Sequence, residues 1–110
     1  MIHDTLRKIE TRVQNAPALK DDNKAELLNL VATLRSEVSE LSKTDADRAQ
    51  TIAGFAQVSA HEATRGEPNP KLLKLSVDGL SESVSGFEKS HPKLVEIVNS
   101  ICVTLSNSGI

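Results

Sequence analysis

Aromatic side chains are almost missing from this sequence. Phe55 and Phe87 are the only two in 110 residues, and there is no Trp and no Tyr. β-Strands favour aromatic and β-branched residues, and sequence-tolerant binding of single-stranded nucleic acid relies on aromatic stacking, so both are disfavoured from the start. A single cysteine, Cys102, excludes an internal disulfide and any cysteine metal cluster. Its apolar neighbours mark it as a small core residue rather than a reactive thiol. An excess of one charge is lacking too: 13 Lys and Arg are interleaved with 15 Asp and Glu, for a formal net charge of -2. There is no basic stripe of the kind nucleic acid requires. No apolar run approaches the roughly 20 residues that span a bilayer, and the N-terminal residues hold no apolar signal-peptide core. The expectation is a cytoplasmic protein without a nucleic-acid or membrane partner.

What is present favours helices. The chain is rich in Leu, Ala, Glu, Lys and Ser, and its length suits one domain over 1–110, with a modest core and little room for a deep cleft. Ile2, Leu6, Ile9 and Val13 are spaced four, three, four, which predicts a short first helix ended before Pro17. Asp21, Asp22 and Asn23 offer a cap and favourable charge for a second helix over about 22–42, with Leu27, Val31, Leu34, Val38 and Leu41 on one face. Ser42-Lys43-Thr44 is a weak junction. Thr44 and Asp47 resemble a capping box for a third helix over about 45–64; the alternative is one helix over about 22–64. Ala49, Ile52, Ala53, Ala56, Ala60 and Ala63 give this segment a thin face that lets a neighbour approach closely.

Residues 65–70 form the clearest loop, with Gly66 suited to a helix C-cap and Asn69-Pro70 to the next helix start. Leu73, Val77, Leu80, Val84 and Phe87 then keep four-three spacing. Beside them runs a stripe of small residues, Ser76, Gly79, Ser83 and Gly86. Two glycines one heptad apart suggest a groove for another backbone, so Gly79, Ser83, Gly86 and Phe87 are the candidate helix-packing or interface residues; tolerated surface glycines are the plainer reading. Pro92 fits the first turn of a last helix capped by Ser90, although the apolar register through Phe87, His91, Leu94, Val98, Ile101 and Leu105 also suits a single kinked helix. At the end, Leu105, Gly109 and Ile110 fit a Schellman cap, with Ser106 to Ile110 as a carboxylate-captured peptide ligand the alternative.

Chemistry is scarce. His61-Glu62 is followed by Arg65 where the zinc-protease helix motif needs a second histidine. His3, His61 and His91 have no ligand spacing, no serine sits in a nucleophile elbow, and no glycine-rich phosphate loop occurs. Glu37, Glu40, Asp45 and Asp47 cluster near a helix junction, where capping and solvation are their default roles. No catalytic, metal-binding or cofactor-binding residue is assigned, and the chain is not read as an enzyme.

The motif Phe87-Glu88-x-Ser90-His91-Pro92-x-Leu94, closing with Leu105-Ser106-Asn107-x-Gly109-Ile110, resembles the bacterial family called domain of unknown function 4404. Leu6 and Ile9, a proline turn, then Glu26-Leu27-Leu28 also fit its pattern, and Ile52 to Phe55 with Ser59 to Arg65 resemble its longer members. The resemblance implies a small, bacterial, all-helical protein and supplies no activity, ligand or partner.

The sequence therefore predicts an all-α antiparallel bundle, or helical hairpins, of four to five helices. Its narrow coiled-coil-like seams predict completion of the core by dimerisation. The expected role is a non-enzymatic helical interaction or structural protein that pairs with itself and with a further, unidentified protein. The alternative is a binding module for a small apolar ligand or amphipathic peptide between helices.

Overall fold

The structure, a computed structural model, describes residues 2–17, 19–67 and 69–108. Five helices account for the fold, α1 (Ile2–Gln14), α2 (Asp21–Ser42), α3 (Ala46–Ala63), α4 (Pro70–Ser83) and α5 (Pro92–Ser108), with no strand among the described residues. The break between α2 and α3 is real, so the continuous 22–64 helix does not form. The chain likewise turns before Pro92 rather than kinking through it.

Helix ends follow local chemistry, and four differ from the sequence reading. Lys20, extended and without a side-chain cap bond, precedes α2; Asp21 and Asp22 lie inside its first turn, where they act through the helix dipole. The N-cap of α3 is Asp45, whose carboxylate accepts from the Arg48 amide at 3.0 Å. Thr44 instead donates back to the Leu41 carbonyl at 3.2 Å. At the other end of α3 the C-cap is Thr64, not Gly66, and its hydroxyl donates to the Ala60 carbonyl at 2.7 Å. Ser90 does not cap α5: its hydroxyl lies 3.0 Å from Nδ1 of His91, the residue directly before the helix. Asn69 behaves as expected, accepting from the amides of Lys71 and Leu72 with Pro70 in the first turn.

Helices α2, α3, α4 and α5 form a four-membered ring in which each touches the next and α5 closes back on α2. Side-chain contacts give the directions. Arg48 at the start of α3 reaches the end of α4, Cys102 in α5 meets Val77 in α4, and Thr104 near the end of α5 donates to Glu26 near the start of α2. Sequential neighbours are thus antiparallel, as short connections require. Helix α1 lies in the groove between α2 and α3 and touches neither α4 nor α5. Glu10 pairs with Arg35 of α2 at 2.8 Å, and Arg12 donates to Thr64 at 2.7 Å.

The apolar four-three stripes point inward. Leu6, Ile9 and Val13 of α1, Leu27, Val31, Leu34, Val38 and Leu41 of α2 and Leu94, Val98, Ile101 and Leu105 of α5 all belong to one continuous core, which reaches α5 through α2 and α3 rather than from α1 directly. The alanines of α3 explain its central place: Ala49, Ala53, Ala56, Ala60 and Ala63 are all buried, and their small side chains let α3 pack against each of the other four helices. The radius of gyration, 12.8 Å, matches the about 13 Å expected of one compact chain this long. The seams that motivated a second copy are closed within the chain. Any self-association has to use the outer surface instead.

Candidate functional site

The four candidate interface residues fall at two places, both occupied by this chain's own side chains. Ser83, Gly86 and Phe87 lie at the turn between α4 and α5. Helix α4 ends at Ser83, so Gly86 is not a helical residue and forms no groove with Gly79. Its φ of +96° is the one positive value among the described residues, and it reverses the chain where a side chain would be strained. The Gly86 amide donates to the Glu88 carboxylate at 2.8 Å. The apolar spacing continued past the helix end because Val84 and Phe87 still face the core from the turn.

Arg48 organises this turn. Its guanidinium donates to the carbonyls of Ser83, at 3.2 Å, and Ser85, at 3.0 Å, and lies 4.5 Å from the centre of the Phe87 ring. It satisfies carbonyls released at the helix end while stacking on an aromatic face, a combination the planar fork of arginine allows and lysine does not. Phe87 also meets His91 edge-on, with ring centres 5.5 Å apart. The Phe87-to-Pro92 motif is therefore a structural latch. Nothing in the sequence pointed to Arg48, because its partners are main-chain carbonyls of residues 35 and 37 positions away.

Gly79 does lie inside α4, and its missing side chain is needed, but by Phe55 of α3. A methyl group at Gly79 would overlap the Phe55 ring. Glycine here costs about 1 kcal/mol of helix propensity. We expect Gly79→Ala to stabilise the protein by about 1 kcal/mol in a Phe55→Ala background, where the space is free. With Phe55 present, the same change should be neutral or destabilising. Chemical denaturation of the four proteins in this cycle measures the coupling; equal effects in both backgrounds would show that Phe55 does not use the space.

At the chain end, Leu105 is buried in the core. Gly109 and Ile110, and with them the proposed Schellman cap, lie outside the described residues. Cys102 is buried, with its thiol 3.6 Å from the Val77 carbonyl. Burial, with the Asp78 charge adding to it, pushes its pKa up from 9.0 to about 11.

The remaining polar groups stay apart. His3 lies 3.3 Å from the Ser39 hydroxyl, and His61 lies 3.9 Å from the Glu62 carboxylate, which Arg65 also holds at 3.0 Å. In the acidic cluster, Asp45 caps α3 and Glu40 pairs with Lys43. No group of three or more His, Cys, Asp or Glu side chains converges among the described residues. A groove of about 710 Å³ runs along α1 and is lined by Asp4, Arg7, Lys8, Thr11 and Arg12 with Thr64. A smaller one of about 380 Å³ lies between α4 and α5, lined by Leu73, Val77, Lys74 and Asp78 among others. Both are open and mixed in polarity. No helix among the described residues is long and apolar enough to cross a membrane.

Most of the exposed apolar side chains among the described residues lie on two helices. Among the described residues Phe55, Val58, Leu72, Leu75 and Val103 are the exposed large hydrophobics, and all but Val103 belong to the adjacent pair α3 and α4. Leu72, Leu75 and Gly79 share a face of α4 by their spacing, and Phe55 packs onto Gly79 from α3.

These features define a small all-α bundle: a four-helix ring with an additional helix laid across one groove. The chain belongs to the family described as Domain of unknown function (DUF4404), whose model matches residues 27–110. The match takes in most of α2 and all of α3, α4 and α5, including the latch, whereas α1 and its Leu6 and Ile9 precede it. No curated protein and no solved structure matches the chain.

Proposed function

We propose that this chain is a non-enzymatic helical interaction protein that self-associates and works through the outer face of α3 and α4. The observation that carries this reading is the exposure of Leu72 and Leu75 on the face of α4 where Phe55 of α3 is seated, with Leu75 67% exposed. Scattered apolar residues on a surface need no explanation, but a cluster on two adjacent helices is the pattern of a contact surface. A ligand-binding module would be supported by an enclosed cavity lined by Leu, Val and Ile. The grooves are instead open and carry charged side chains at their edges.

Sedimentation equilibrium from about 5 to 200 µM, a range chosen around typical weak affinities, tests the proposal. We expect an average mass that rises above that of one chain towards two. A single-chain mass across the whole range would overturn self-association.

A further inference from the structure

We infer that the second copy docks on α4 in antiparallel orientation, about a two-fold axis crossing the helix between Leu75 and Asp78. This inference rests on the self-association proposed above and adds the surface and its geometry. Lys71, Leu75, Asp78 and Glu82 are spaced four, three, four, so they form one stripe, and all four are exposed. Lysines, Lys71 and Lys74, lie on the N-terminal side of Asp78, while the carboxylates of Asp78 and Glu82 occupy the C-terminal half. The helix surface is therefore basic at one end and acidic at the other, with its most exposed leucine between them.

Such a stripe is complementary to itself only when reversed. A two-fold interface sets residue i against j and j against i. With the axis between Leu75 and Asp78, Lys71 of each copy comes level with Glu82 of the other, giving two equivalent opposite-charge pairs. The two Leu75 side chains then lie about 4.5 Å apart along the helix axis, less than one turn, each level with Asp78 of the other copy, and the two central Asp78 carboxylates are each held by Lys74 of their own helix. A parallel arrangement would set lysine against lysine and carboxylate against carboxylate. The Lys74–Asp78 pair at 3.0 Å is exposed on both sides and leaves these groups free to adjust.

The apolar neighbours lie where such an interface needs them. Phe55 of α3, seated on Gly79, and Leu72 of α4 lie on the α3 side of the stripe, while Val58 sits further round α3, where it also borders α1. Two helices per copy also offer a broader surface than α4 alone, as the about 800 Å² per partner of a stable interface demands. Val103 lies away from this face, on α5.

Sedimentation equilibrium of charge variants tests the geometry, with helicity and melting followed by circular dichroism. Leu75→Glu should shift the mass to one chain with the melt retained, since Leu75 is exposed, and Val103→Glu should leave the dimer intact. Lys71→Glu and Glu82→Lys should each weaken the homodimer about tenfold or more, because each creates two like-charge pairs. An equimolar mixture of the two variants should recover wild-type affinity as a heterodimer, and the double variant should recover it as a homodimer. A wild-type dimer indifferent to Leu75→Glu and Lys71→Glu would overturn this surface while leaving self-association standing. Dissociation by Leu75→Glu without recovery in the charge swap would overturn the antiparallel two-fold arrangement. A wild-type protein at single-chain mass throughout would overturn both proposals.

Discussion

Leu34→Ala is expected to destabilise the protein by about 2–5 kcal/mol, a large share of the about 5–15 kcal/mol that holds a domain of this kind folded. Leu34 is fully buried near the middle of α2, the helix that touches α1, α3 and α5. Removing its isobutyl group loses burial and leaves a cavity that three helices cannot all move to fill. The comparison is Leu75→Ala, which should change monomer stability by less than about 0.5 kcal/mol because the side chain is already in water. Leucines of the same four-three type thus separate by what their helix faces. Urea denaturation at a concentration below that of self-association measures both. Equal, small effects would mean that the bundle core is not packed as described.

Cys102 should be chemically silent in the folded protein. Burial raises its pKa from 9.0 to about 11, the Asp78 charge contributing second. At pH 8 the thiolate fraction then falls about a hundredfold, and the thiolate is the nucleophile. Alkylation of the native protein at pH 8 should be at least about a hundredfold slower than of the urea-unfolded chain. Rates within a factor of a few would show the thiol to be accessible. The same shift fixes the pH dependence of stability. The native state holds this proton more tightly than the unfolded chain, so the contribution is complete below pH 9 and is lost as pH rises through about 11. The loss should reach about 2–3 kcal/mol. Cys102→Ala should flatten that part of the stability profile relative to the parent, which also controls for the titrating lysines; an unchanged slope would contradict the shift.

The Arg48 latch gives the segment from Gly86 to Pro92 a physical meaning. Gly86 supplies the positive φ, Pro92 supplies the rigid first turn of α5, and Phe87 supplies a surface for the guanidinium to cover. Of these, Gly86 and Phe87 read as a continuation of the α4 stripes, whereas Pro92 was visible in the sequence as punctuation. The residue holding them together was not, because a charged side chain that bonds to main-chain carbonyls leaves no periodic trace. The same applies to Phe55: its sequence neighbours do not reveal that it fills the space left by Gly79.

The inward stripes and the loops around Pro17 and Asn69-Pro70 were legible in the sequence alone, for local reasons, whereas the breaks between α2 and α3 and before Pro92, and with them the helix number, were decided by the structure. Spacing of four and three assigns an apolar face whatever that face packs against, and proline and asparagine control backbone geometry within a few residues of themselves. Helix ends slipped by a residue or two where several polar side chains could cap, as with Thr44 and Asp45. Only the tertiary structure decided which faces meet. It closed every seam within one chain, because α3 is thin enough to pack against four helices and α1 fills the groove between α2 and α3. It turned a presumed intermolecular groove into the seat of Phe55. It also left Leu75 and its flanking charges outside, where a stripe that reads like any other helical repeat becomes a surface, since burial depends on where the neighbouring helices run and not on spacing along one of them.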